Sequence, residues 1–387
     1  MSYRILYLAP DVLISGSHGG SSHVSETVNS LAKLGNKVYL LCRSNGIEIK
    51  PSKDITIIGL PVINLSFIKS LLYLFYTFSI TLFCLTFLRI NLVYERGRIF
   101  GGLGVLLASL YGKKSVYELN EPYISLLLVN DILTKKSLRY KIVSSLHKSV
   151  VSKASLTTVT NNHMERDAPN GRYLLVWWGT DPEIFRPDIK CDDVIKEYNL
   201  HRGKTLLYVG SFSEWHSCET MIEIIRRLVK GDKEIKLIMI GDGEKRKNCK
   251  SLVKKYKLEN KVVFVDKLNH SEVPKFINAS DICFALFDRR YKPFKEFSFF
   301  YSPIKIHEYK ACGKPIIASN FGNLKKLVND KINGMLVDES DINSVVRAVK
   351  ILMENKNLVK EISKNNRNDV LIKYNWDEVN KFVLKHL

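Results

Sequence analysis

The chain of 387 residues is 45% hydrophobic and carries a formal net charge of +20, from 59 basic and 39 acidic side chains. The apolar content excludes a disordered chain, and the length suggests two domains at about 100–200 residues each. The charge favours an anionic partner (nucleic acid, an acidic membrane surface or a phosphorylated ligand) beside the plainer reading of a lysine-rich composition.

The opening MSYRILYLAP goes straight into a strand-like run, unlike a signal peptide. Seven scattered cysteines form no CxxC pair, which speaks for buried thiols in a reducing compartment rather than a zinc site or a disulfide framework. A cytoplasmic location is expected.

Arg4–Pro10 (RILYLAP) reads as a strand. The Gly-rich SGSHGGSSH follows, with Gly16, Gly19 and Gly20 ahead of a helix from about Ser22 to Leu34 that places Val24, Val28 and Leu31 on one face. Glycines before a helix start make a ready anion site, and equally an ordinary turn. The GxGxxG pattern is missing, and the next strand, KVYLLC, ends in Cys42-Arg43 rather than an acid, which disfavours a nicotinamide dehydrogenase.

Ser70 to Leu88 holds 19 residues without a charge, flanked by Lys69 and Arg89. Three readings stand: crossover helices buried on a sheet, helices dipping into one leaflet, or a span, for which about 20 residues are needed. Strand-like runs on both sides argue against the span. Asp131 to Ser155 carries six Lys/Arg and one acid, with Ile132, Leu138, Ile142, Val143, Leu146, Val150 and Val151 near helical spacing. Such a basic amphipathic helix suits anionic headgroups, or is a surface helix with solvated lysines.

INLVYE, KSVYEL, LTTVT and YLLVWWG complete a βαβ order in the first half, and TLLYVGS, IKLIMIGDG, KVVFVD, DICFAL, PIIASN and GMLVD repeat it in the second. The expected fold is α/β: two facing Rossmann-like domains with parallel sheets and an interdomain cleft. Residues 1–180 form the first domain and 181–370 the second. The helix within 371–387 has the option of packing back on the first.

In such folds chemistry sits in loops after strands. Ser211 to Ser217 offers the flat face of Trp215 and a donor in His216. In IGDGEKRK, Gly241 and Gly243 permit backbone contact with a base or ribose. In YSPIKIHEYKACGKPIIAS (301–319), Ser302 fits an N-cap, Pro303 the N1 position and Gly313 the stop. Lys305 then adds a cation where the helix dipole is already positive, at a cost of up to about 1 kcal/mol unless an anion binds. Glu308, on the same face, is an acceptor for sugar or ribose hydroxyls. A plain Lys305–Glu308 surface pair is the simpler alternative.

In order along nearly the whole chain, GGSSHVSETVNSLAKLGNKVYLL, VYERGRIFGGLGVLLASLYGKKSVYELNEP, WWGTDPEIFRP, YVGSFSEWHS, MIGDGEKRK and SPIKIHEYKACGKPIIASNFGNLKKLVNDKINGMLVD resemble family 4 of the retaining glycosyltransferases, which have the GT-B fold. The resemblance implies a nucleotide-diphosphate sugar as donor. Its base and ribose would lie near Gly241, Asp242, Gly243 and Leu268, with Glu308 on the ribose. Gly210, Ser211 and Trp215 would line the donor site. The diphosphate would rest on Ser302, Pro303, Ile304, Lys305 and Ile306, with Gly19 and Gly20. Lys305 and His216 would stabilise the leaving group, and Glu118 and Asn120 would position donor sugar or acceptor. The first glutamate of the family's E-x7-E falls at Phe300, and many relatives carry a histidine where Glu118 to Asn120 stand. No DxD triplet occurs, so no essential metal or other cofactor is expected.

The charge and the apolar stretch point to a saccharide or a lipid-linked sugar as acceptor, as in cell-surface polysaccharide or glycolipid synthesis, with peripheral contact at the inner face of an anionic membrane. The alternatives are a nucleotide-sugar epimerase of the same shape and a catalytically degenerate subunit of a polysaccharide assembly complex. Nucleic acid is disfavoured, since the basic residues are not interleaved with a reading motif.

Overall fold

A computed structural model describes residues 2–14, 19–44, 53–61 and 66–387. They divide into two compact units. One comprises residues 1–178, 300–302 and 376–387, and the other 179–299 and 303–375. Gly16 lies outside the described residues.

The first unit holds β1 (Arg4–Leu13), α1 (Gly19–Lys33), β2 (Lys37–Arg43), β3 (Ile55–Leu60), α2 (Ser66–Phe87), β4 (Leu92–Arg96), α3 (Leu103–Leu110), β5 (Lys114–Leu119), α4 (Tyr123–Val129), α5 (Leu138–Lys153), β6 (Leu156–Val159) and β7 (Tyr173–Leu175). The strands form one parallel sheet in the order β3-β2-β1-β4-β5-β6-β7. Central strands are covered on both faces and therefore read as continuous apolar runs: Ile5 to Ala9 are fully buried. One face is closed by α1, whose Val24, Val28 and Leu31 pack with Tyr7, Leu40 and Trp376. On the other, Tyr73, Cys84 and Leu85 of α2 and Leu107 and Ala108 of α3 pack on Leu6, Leu8 and Leu41.

The apolar stretch 70–88 is thus part of one crossover helix rather than a helix pair. It joins β3 to β4 of a single sheet, which rules out a span by α2. No helix among the described residues is long and apolar enough to cross a membrane. Helix α1 starts three residues before its expected position, so Gly19 and Gly20 lie in its first turn.

The second unit holds α6 (Asp192–Glu197), β8 (Thr205–Val209), α7 (Cys218–Leu228), β9 (Lys236–Ile240), α8 (Arg246–Lys255), β10 (Val262–Val265), α9 (Val273–Ala279), β11 (Ile282–Ala285), α10 (Lys292–Phe297), α11 (Ile304–Ala311), β12 (Ile316–Ser319), α12 (Leu324–Leu327), β13 (Met335–Val337), α13 (Ile342–Glu354) and α14 (Lys356–Asp369), followed by one π-helical turn at Val370–Tyr374. Its parallel sheet has the order β10-β9-β8-β11-β12-β13. The chain then returns to the first unit as α15 (Trp376–Lys385), which packs on α1 and donates the Trp376 indole N–H to Glu26.

Strand order reverses between β1 and β4 in the first unit and between β8 and β11 in the second. Ligands of open α/β sheets bind at such switch points, beyond the carboxyl ends of the strands.

Candidate functional site

In the second unit, Lys305 of α11 reaches the switch point. Its Nζ lies 4.4 Å from the Tyr208 ring centroid, 5.5 Å from that of Phe287 and 3.5 Å from His216 Nε2. The loop after β8 is held there by an isolated bridge between His216 and Phe287. Burial lowers the Lys305 pKa to about 8. No carboxylate among the described residues forms an ion pair with it. His216 is buried and pushed well below its usual pKa, by desolvation first and by Lys305 second. A neutral imidazole facing an ammonium presents its Nε2 lone pair, which leaves Nδ1–H to donate to Ser213 Oγ at 2.8 Å.

Two glycines make room for this arrangement. Gly210 has φ +152°, and a Cβ there would fall 2.4 Å from Lys305 Nζ. Gly241 has φ +126°, and its Cβ would meet Gly210 O at 2.1 Å. The β8 and β9 loops thus touch backbone to backbone, tied by Phe212 N–H to Asp242 O at 2.9 Å. Gly243 and the Asp242 and Ser211 side chains remain exposed. Trp215 is half-buried, parallel to Phe287 at 5.9 Å and close to His216 at 4.1 Å. Leu268 is half-buried beyond β10.

Helix α11 begins one residue later than the sequence suggests. Pro303 is the N-cap, with ψ 117°, and Ile304 is the first helical residue. Ser302 does not cap it. Its hydroxyl accepts the Trp178 N–H at 3.0 Å, inside the first unit. The first backbone bond of the helix runs from Ile306 N–H to Pro303 O at 3.1 Å, so the N–H groups of Ile304 and Lys305 precede it. Glu308, one turn on, is buried and engages His270 Nε2 at 2.7 Å rather than Lys305. Gly313, with φ +66°, ends the helix as expected.

The first unit carries a second polar cluster at the carboxyl ends of β4 and β5. The buried Glu118 carboxylate receives Asn120 Nδ2 at 2.7 Å and the Tyr7 hydroxyl at 3.2 Å. His23 Nε2 lies 3.3 Å away and Arg96 Nη1 3.7 Å. His23 Nδ1 faces Arg96 Nη1 at 3.4 Å, so His23 is neutral with its proton on Nε2. Burial raises the Glu118 pKa, with Arg96 opposing, and lowers that of His23. Glu118, Asn120, His23 and Trp178 help line a cavity of about 20 Å³, room for one water. Asn120 Oδ1 is buried there without a partner among the described residues. Gly19 and Gly20 stand one turn before His23, accessible at the helix start. Phe300 belongs to this unit and is fully buried, its carbonyl accepting from Thr160 Oγ1 at 2.9 Å.

The sequence-predicted residues therefore form two groups. Gly210, Ser211, Trp215, His216, Gly241 and Lys305 assemble in one unit, and Glu118 and Asn120 in the other. Sequence reasoning missed Arg96, His23, Ser213 and His270. The one available signal was that Arg96 ends the strand on the far side of the first switch point.

Residues 192–369 match the family model described as Glycosyl transferases group 1. An uncharacterized glycosyltransferase of Methanocaldococcus jannaschii is 26% identical over 96% of this chain and 95% of its own. Sucrose-phosphate synthase from Thermosynechococcus elongatus superposes with a TM-score of 0.76 at 19% identity, covering 99% of this chain and 98% of its own. The Anabaena protein HepE in complex with UDP gives 0.72 at 14% identity, covering 99% and 98%. The chain has the GT-B fold. Within this GT-B chain the matched region holds the whole Lys305 group, and the matches support a transferase enzyme.

Proposed function

We propose that the chain is a retaining glycosyltransferase moving a sugar from a nucleoside-diphosphate donor to a saccharide or lipid-linked acceptor. The observation that carries this reading is Lys305, a half-buried cation without an ion-pair partner among the described residues, in the first turn of α11. A helix start and an ammonium together form an anion site. A dianionic diphosphate offsets the desolvation that lowers the lysine's pKa.

In this reading the backbone N–H groups of Ile304 and Lys305 and the Lys305 ammonium hold the diphosphate beside Ile306, and His216 fixes the ammonium. Gly241 to Gly243, Leu268 and Trp215 receive the base and ribose, with Glu308 on the ribose hydroxyls and His270 orienting it. Glu118 acts as a positioning residue, its oxygens already engaged, and presents Asn120 to sugar or acceptor. As the bond between the anomeric carbon and the diphosphate oxygen breaks, charge accumulates on that oxygen. Preorganised donors aimed there supply the largest catalytic contribution. The acceptor hydroxyl then attacks from the same face, its proton passing to the departing diphosphate oxygen, and no essential metal takes part. The UDP named in the HepE complex fits a uridine donor.

The test is calorimetry with UDP, ADP and GDP on the wild type and Lys305→Ala, followed by a thermal-shift screen of nucleotide sugars. Binding of one nucleotide that is lost with Lys305 supports the reading. Undiminished binding or transfer by Lys305→Ala refutes it.

A further inference from the structure

The outer faces of α2, α3 and α5 carry a surface that the proposed chemistry does not use. The outward face of a crossover helix in water is ordinarily polar. On α2 it is aromatic: Phe75 is 64% exposed, Phe83 55% and Phe87 68%, with Phe78 and Leu82 between them. These positions recur at helical spacing opposite the buried Tyr73, Cys84 and Leu85. Tyr111, just past α3, extends the surface, its hydroxyl 3.1 Å from Thr86 Oγ1, and the neighbouring Leu110 is 81% exposed. Helix α5 packs beside α3 and adds the exposed Leu138 and Ile142, with Arg139, Lys141 and Lys148 among them and Lys135 and Lys136 just before. The one acid of that segment, Asp131, stands ahead of the lysines.

We propose that this face of the first unit docks on an anionic lipid bilayer, with α2 lying in the plane of the interface. Three observations select that occupant. The aromatic face carries no charge from Ser70 to Leu88, so its burial strands no ion in hydrocarbon. The adjacent α5 exposes cations and no acids, complementary to anionic headgroups. A chain of net charge +20 repels a second copy of itself, which disfavours self-association through this face. The buried inner half of α2 limits insertion to the outward side chains. The acceptor of the proposed transfer can then be a lipid-linked saccharide met at that surface, although the docking rests on the face alone.

The test is flotation of the full chain with vesicles of phosphatidylcholine alone and of phosphatidylcholine containing about one-third phosphatidylglycerol. The wild type floats with the anionic vesicles, less so as salt rises, and stays behind with the neutral ones. The double variant Phe83→Ser/Phe87→Ser and the triple variant Lys135→Glu/Lys136→Glu/Arg139→Glu each lower the bound fraction at least about fivefold while melting as the wild type does. Either no flotation of the wild type or equal flotation of both variants overturns the proposal. So does a dimer in light scattering that the phenylalanine substitutions abolish without any vesicle binding.

Discussion

Lys305 Nζ stands 3.5 Å from His216 Nε2, and the pair shares one proton inventory: a neutral imidazole accepts and an ammonium donates. Neither group gains a carboxylate among the described residues, so the charge is held in place by packing and by an aromatic cage. Such a group is unfavourable in the free protein and becomes favourable when an anion arrives.

Removing the charge should therefore separate stability from function. Lys305→Met keeps the stem and deletes the ammonium. The free protein is expected to melt about 2 °C higher, as a desolvated cation worth about 1 kcal/mol is lost. Transfer should fall about 10²–10³-fold, the loss seen when one donor to a developing anion is deleted. Paired thermal melts and initial rates check both signs.

The lowered pKa predicts a pH dependence. In the free protein Lys305 titrates at about 8, below its ordinary 10.5. Above pH 8 the folded state has released this proton while the unfolded state keeps it. This group's contribution to stability therefore rises between pH 8 and 10.5. Nucleotide affinity runs the other way. Binding requires the ammonium, so it weakens as pH rises through about 8 and takes up a proton there. Calorimetry in buffers of different ionisation enthalpy measures that uptake. A flat affinity from pH 7 to 9.5 would contradict it.

Gly210→Ala tests the cage without touching a charge. At φ +152° an alanine is strained, and its Cβ would occupy the space of the ammonium. The expected outcome is destabilisation of about 1–3 kcal/mol in urea together with loss of nucleotide binding at temperatures where the variant is folded. An alanine variant that binds nucleotide normally would show that the ammonium need not sit there.

In the first unit, Glu118→Ala leaves Arg96 facing a buried gap and removes the acceptor of the Asn120, Tyr7 and His23 donors. A cost of about 3–5 kcal/mol is expected from urea denaturation, since removing one partner strands the others. Asn120→Ala should cost about 1 kcal/mol or less, because the oxygen of that amide has no partner among the described residues, yet should lower transfer. A thermodynamically silent and catalytically silent Asn120→Ala would leave the residue without a role.

Much of this was legible in the chain because buried parallel strands are written as apolar runs. RILYLAP, KVYLLC and TLLYVG announce themselves, and the glycines after β8 and β9 mark where backbones meet. ITIIGL, which forms β3, is short and stands among polar neighbours, so it carries a weaker signal. The α11 start was misplaced by one residue because a serine before a proline has the composition of a cap. Local sequence does not reveal that the Ser302 hydroxyl is claimed by Trp178, 124 residues earlier. The Glu118 cluster was half seen for the same reason: Tyr7, His23, Arg96 and Glu118 come from four separate elements, and only the sheet order brings them together. The 70–88 stretch keeps one face in the core and exposes the other, which a count of apolar residues cannot separate.

Helix α15 is built into the first unit, with Trp376 in its core and the Lys114 ammonium donating to Leu387 O at 2.9 Å. During synthesis the whole second unit emerges from the ribosome before that helix does. The first unit, although translated earlier, must wait with the α1 surface that receives Trp376 uncovered until residues 376–387 arrive. A chain that ends before Trp376 should accordingly be more open to proteases and chaperones in its N-terminal half than one that includes the helix.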